Sequence, residues 1–221
     1  MKNQKRFLIN LSVAINILIA LPAILFLIKS ENIQYDLYSI FEKRIGEPEI
    51  VFIGDSITRG GNIWAYRIGE YKFNVWNYGH SSMTTRQIQH YAKKAASDSN
   101  TKFAFVMAGI NDPVKTTSGA KESFEDYKVI IETLRKAGIT PIIQFTLYRE
   151  NENKPFFISR LNELLFDYAN ANNIRTINLN PIIAPKKSLL PEYSRDGVHL
   201  TEAAYDIWAN EVKNVLDDLN Y

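Results

Sequence analysis

Apolar residues fall into two different patterns along this chain. From Phe7 to Ile28 there are 22 consecutive residues without a charge, and only Asn10, Ser12 and Asn16 among them are strongly polar. The stretch is apolar on every side, and at about 1.5 Å per residue a helix of this length reaches across a hydrocarbon core of about 30 Å. Beyond residue 48 the pattern changes to short apolar runs separated by longer amphipathic ones.

The short runs predict five buried strands: Ile50–Ile53, Phe73–Trp76, Phe103–Met107, Ile139–Phe145 and Ile174–Leu179. The amphipathic stretches predict helices over 84–97, 123–137, 155–172 and 201–219, with Gly138 stopping the second and Thr201 capping the last. Strands that alternate with helices imply an α/β fold, a three-layer α/β/α sandwich around a mostly parallel five-stranded sheet. In such a sheet a ligand site lies beyond the carboxyl ends of the strands.

Charge supports the division. Residues 1–30 hold four of the 26 basic residues and none of the 24 acidic ones, which leaves 22 against 24, a net of −2, for the rest. With Lys2, Lys5 and Arg6 before the apolar stretch, and Glu31 and Asp36 soon after Lys29, the positive-inside bias puts the N-terminus in the cytoplasm. The expected layout is a cytoplasmic segment 1–6, a transmembrane signal-anchor helix 7–28, a stalk 29–47 and an extracytoplasmic domain 48–221. A cleaved signal is disfavoured, because the run is long for one and its exit, Leu27-Ile28-Lys29-Ser30-Glu31, has no small-x-small site. No basic stripe points to nucleic acid. The lack of cysteine excludes disulfides, thiolate metal sites and a cysteine nucleophile.

Three segments carry candidate chemistry: Gly54-Asp55-Ser56-Ile57-Thr58, Gly109-Ile110-Asn111-Asp112 and Asp196-Gly197-Val198-His199. Serine after a strand is by itself more often a helix cap than a nucleophile. Its hydroxyl becomes reactive when a neighbouring base removes the proton and an acceptor holds that base in the right tautomer. Of the three histidines, His90 lies mid-helix and His80 adjoins the Gly79 loop, whereas His199 has Asp196 three residues before it, able to fold back towards its ring. A catalytic metal on Asp196, His199 and His80 is disfavoured, since there is no His-Glu-x-x-His pair, cysteine or acidic cluster. Neither a metal nor another cofactor is expected.

These segments, with Asn77-Tyr78-Gly79, resemble the four blocks of the SGNH hydrolases, also called the GDSL esterase and lipase family, over about residues 48–220. The resemblance implies the flavodoxin-like SGNH fold. It further implies Ser56 as nucleophile, Asp196 and His199 as acid and base, and an oxyanion hole built from the N–H groups of Ser56 and Gly79 and the side-chain amide of Asn111. Ser82 stands where the second block often has a second glycine, and Thr58 removes the Gly-x-Ser-x-Gly elbow of the other common hydrolase type.

The expected activity is hydrolysis of acyl esters. Pocket walls are expected from 113–121, 147–154 and 181–195, which mix Lys and Arg with Tyr and Pro and hold no long apolar lid. That favours short acyl groups on envelope glycans over membrane lipid. Transfer to a sugar hydroxyl by the same site, and a silent membrane-tethered binding protein on the same fold, stay open at this stage.

Overall fold

The computed structural model describes residues 47–70, 74–151 and 155–221. The expected cytoplasmic segment, the membrane span 7–28 and the stalk up to residue 46 lie outside them. Among the described residues no helix is long and apolar enough to cross a membrane.

The element order is β1 (Ile50–Gly54), α1 (Ser56–Gly60), α2 (Trp64–Ile68), β2 (Val75–Gly79), α3 (Thr85–Ala96), β3 (Phe103–Met107), α4 (Thr117–Lys136), β4 (Thr140–Gln144), α5 (Phe156–Ala171), β5 (Thr176–Ile177), α6 (Asn180–Ile183), a 3₁₀ turn (Pro191–Tyr193) and α7 (Glu202–Asp218). The strands lie in the order β2-β1-β3-β4-β5, and every pairing is parallel. A parallel sheet needs cover on both faces. Here α3, α4 and α5 pack side by side on one face, while α2 and α7 pack together on the other. Against the second group Phe52 of β1 stacks on Trp64 at 4.1 Å and on Phe105 at 4.9 Å, and Trp64 meets Trp208 edge-on at 4.7 Å.

Several boundaries differ from the sequence expectation. The second strand runs through Asn77 and Gly79, because the register with β1 continues to the pair Gly54–Gly79. The fifth is two residues long and pairs only with β4, since it closes the sheet's edge. Helix α4 begins six residues early, at Thr117, where the Thr116 hydroxyl accepts from Gly119 N–H at 3.1 Å. Thr201 does precede α7, but its hydroxyl caps nothing there and donates instead to the Glu192 carbonyl at 3.0 Å.

At the amino edge of the sheet three residues that each immediately precede a strand are tied to the last residue of the chain. The Tyr221 hydroxyl donates to Glu49 Oε2 and accepts from Asn74 Nδ2, both at 2.8 Å, and Lys102 Nζ donates to Glu49 Oε1 at 2.8 Å. Lys102, then Tyr221 and Asn74, hold the Glu49 carboxyl down at about 2.

Candidate active site

The strand order reverses between β1 and β3, and the loops after these two strands carry Ser56 and Asn111. That is the crevice where doubly wound sheets bind ligands. Ser56 is the first residue of α1, not its cap. The cap is Asp55, whose Oδ1 accepts from Ile57 N–H at 2.9 Å, leaving the serine side chain free to point out of the turn. From α7, the Tyr205 hydroxyl donates to the Ile57 carbonyl at 2.7 Å and pins α1 from the far side.

Asp196 and His199 arrive on a tight loop closed by the Ser194–Leu200 bridge and the Arg195 N–H to His199 carbonyl bond of 2.8 Å. Gly197 lies at φ +89°, where a side chain would be strained. The two oxygens of Asp196 divide their work. Oδ1 accepts from the N–H groups of Val198 and His199 at 3.1 and 2.8 Å and shapes the loop, while Oδ2 receives the ring Nδ1–H of His199 at 2.7 Å. The backbone N–H of His199, its ring and the Val198 N–H hold the Asp196 carboxyl down at about 2, so it is ionised at neutral pH.

In the tautomer that this bond selects, His199 Nε2 accepts from the Ser56 hydroxyl at 3.0 Å. Serine, histidine and aspartate thus form one continuous hydrogen-bonded chain, although Ser56 and His199 are 143 residues apart in sequence. An imidazole so held can take the hydroxyl proton as the oxygen attacks a carbonyl carbon.

Asn111 lies beside the turn after β2, its Nδ2 donating to the Met83 carbonyl at 3.2 Å. One of its two amide hydrogens remains for another acceptor. The loop bearing it is strapped down by Asp112, which is buried and takes the N–H and the hydroxyl of Thr85 on its two oxygens, each at 2.7 Å.

Gly79 departs from the part expected of it. Its N–H is committed to Asn77 Oδ1 at 2.8 Å, while Asn77 Nδ2 donates to the carbonyls of Thr58 and Asn62 at 3.1 and 3.0 Å. A Cβ at Gly79 would land on the backbone of Arg59. Gly79 therefore permits the end of β2 to lie against α1. In the same turn Ser82, on the surface, sits at φ +62°, and its N–H has no hydrogen-bond partner among the described residues.

The other two histidines stand apart from the chain of three. His80 stacks on Tyr91 at 4.7 Å, and Tyr91 meets His90 edge-on at 5.2 Å. Among the described residues no group of three or more His, Asp or Glu is placed to hold a metal ion. Sequence reasoning missed Asp55 as a site residue. It is fully buried behind Ser56, and burial pushes its carboxyl up to about 6. Its position between a strand and a helix start was the available signal.

A family model described as the GDSL-like Lipase/Acylhydrolase family matches residues 52–207. Among curated proteins, an N-acylneuraminate cytidylyltransferase of Streptococcus agalactiae serotype V is 24% identical over 177 residues, 78% of this chain. The chain spans 40% of that relative's length. Among solved structures, a GDSL-like lipase from Bacteroides thetaiotaomicron superposes with a TM-score of 0.69 at 22% identity, covering 84% of this chain and 98% of that one. An acetyl xylan esterase superposes with a TM-score of 0.63 at 17% identity over 76% of this chain and 98% of that one.

Proposed function

The chain belongs to the GDSL-like lipase/acylhydrolase family, and from that premise we propose that it is a serine esterase removing short acyl groups, chiefly acetyl, from envelope glycans. The observation that carries this reading is the unbroken chain from Ser56 Oγ to His199 Nε2 at 3.0 Å and from His199 Nδ1 to Asp196 at 2.7 Å. His199 takes the Ser56 proton during attack on the ester carbonyl and returns it to the departing alcohol, and water then releases the acyl group by the same route. Asp196 stays ionised and stabilises the imidazolium.

The developing oxyanion is met by the N–H of Ser56 and the spare amide hydrogen of Asn111. The third place falls to the Ser82 N–H, since that of Gly79 is taken by Asn77. Supporting this is the bond from Asn111 to Met83, which puts the turn bearing Ser82 next to Asn111. The apolar stretch 7–28 holds the enzyme in the membrane as a single-pass protein with its catalytic domain outside the cytoplasm. An acetyl xylan esterase among the similar folds accords with acetyl as the acyl group.

The test uses the full chain in detergent. A fluorophosphonate probe labels Ser56, and p-nitrophenyl acetate is turned over faster than esters of eight or more carbons. Absence of labelling in a folded sample would leave a silent binding protein, and a preference for long chains would replace the glycan reading by a lipase.

A further inference from the structure

Two cations converge on one backbone carbonyl at the mouth of this site. Arg149 Nη2 and Lys115 Nζ both donate to the Ile110 carbonyl, at 2.7 and 2.8 Å, and Lys115 also reaches the Gly109 carbonyl at 3.3 Å. Ile110 immediately precedes Asn111. On its other side Arg149 borders the loop of the acid and base, because the next residue, Glu150, donates its N–H to the Gly197 carbonyl at 2.8 Å. Arg149 therefore sits between the amide donor and the histidine, on the segment that bridges them.

A neutral carbonyl dipole does not balance the full positive charge of Arg149. Among the described residues no carboxylate lies within ion-pairing distance of Arg149, and the carbonyl engages one of its five N–H donors. The residue is only partly buried, and four of its five N–H donors remain for a ligand. An arginine held at one corner has lost much of its rotamer freedom already, which lowers the entropic cost of binding a second partner. The matching partner for the open edge is a carboxylate, which can accept two parallel N–H bonds.

Resting on the esterase reading, we propose that Arg149 selects esters whose alcohol part carries a carboxylate, as in an O-acylated acidic sugar. The alcohol side is specified because His199 protonates the leaving oxygen, and Arg149 is anchored through Glu150 to the loop that holds His199. No bond is made or broken at Arg149. It is a specificity residue that orients the leaving group by its charge.

The experiment compares an O-acetylated methyl glucuronoside with its C6 primary amide, which keeps the shape and removes the charge. With the full chain in detergent, kcat/KM for the carboxylate form should exceed that for the amide by about 10- to 100-fold, the worth of a charge-assisted hydrogen bond. Arg149→Gln should bring the ratio close to one, and Arg149→Lys should restore part of it. Raising the salt should shrink the wild-type ratio. Turnover of p-nitrophenyl acetate, which has no anionic group, reports separately on the esterase reading. Binding of both sugars to the Ser56→Ala protein by calorimetry needs no turnover at all, and there the carboxylate form should bind at least 10-fold tighter. Equal affinities and equal kcat/KM for the two sugars would overturn the proposal. So would an Arg149→Gln protein that loses activity on both in the same proportion, since Arg149 would then only brace the Ile110 loop.

Discussion

At the scale of single residues, the site divides into groups that act as a unit and groups that act separately. Ser56→Ala and His199→Ala should each bring kcat to near background with the fold intact, because removing one member of a relay disables the others. Asn111→Ala should lower kcat by about 10²- to 10³-fold with little change in KM, since in the proposed mechanism its donor faces charge that exists only in the transition state. Asp196→Asn should be less damaging than His199→Ala, and His90→Gln, at a ring that meets Tyr91 edge-on, should leave kcat nearly unchanged. Loss of activity in His90→Gln with His199→Ala still active would reverse the assignment of the base. A second residue-scale prediction concerns Asp55. Its ordinary value of 3.8 is raised to about 6 in the fold by burial, so the folded state binds more protons between these values. Stability should therefore fall as pH rises from about 4 to about 6, and Asp55→Asn, which can keep the Ile57 cap, should remove that fall and stabilise at pH 7 by on the order of 1–3 kcal/mol. Denaturant midpoints across pH 4 to 8 check it, and parallel curves for the two proteins would refute it. Asp196 and Glu49 act in a lower window: both are held down at about 2, so what they contribute is present above about 4 and lost as pH falls towards 2.

At the scale of elements, the sheet was legible and the turns were not. β1 and β3 are five-residue runs with both faces covered, so each reads as an unbroken apolar block. β2 was placed two residues early because Asn77 and Gly79 look like breakers. In the fold Asn77 staples β2 to α1 and Gly79 lets them touch, so both are strand residues with work at the strand's end. Part of the segment 113–121, expected as a pocket wall, is the first turn of α4, where Gly119 runs past the Val114 carbonyl with no room for a Cβ. Helices α1 and α2 have five residues each, too few to show a helical period. The residues of the three-membered relay were readable because their chemistry is unusual in combination, whereas Arg149 was not, because a lone arginine in a polar loop has no pattern. The Gly79 N–H, expected to face an oxyanion, is engaged by Asn77, and a backbone N–H carries no sequence signal of who occupies it. Gly79→Ala tests the steric role directly. The added Cβ meets backbone, which cannot rotate away, so the protein should lose about 1–3 kcal/mol of stability, and kcat should fall with it as α1 and Ser56 are displaced. An unchanged Tm together with an unchanged kcat would contradict that close contact.

At the scale of the whole molecule, the proposed anchor sets where the reaction happens. The full-length protein should stay in the membrane fraction after a carbonate wash, and protease added from outside should digest residues beyond 47. Release as a shortened soluble protein would mean that the apolar stretch is a cleaved signal, and protection of the domain would reverse the orientation drawn from Lys2, Lys5 and Arg6. The knot of Glu49, Asn74, Lys102 and Tyr221 has a bearing on this. It gathers the way in and the way out of the domain at the amino ends of the strands, whereas Ser56 and Asn111 lie past their carboxyl ends, about 17 Å away across a five-residue strand. Joining the last residue to residue 47 by a short flexible linker and opening the chain in a distant surface loop should give a rearranged protein with the same active face. Grafted to a bead by either end, the enzyme should keep its full kcat/KM, because the bead would cover the back of the molecule.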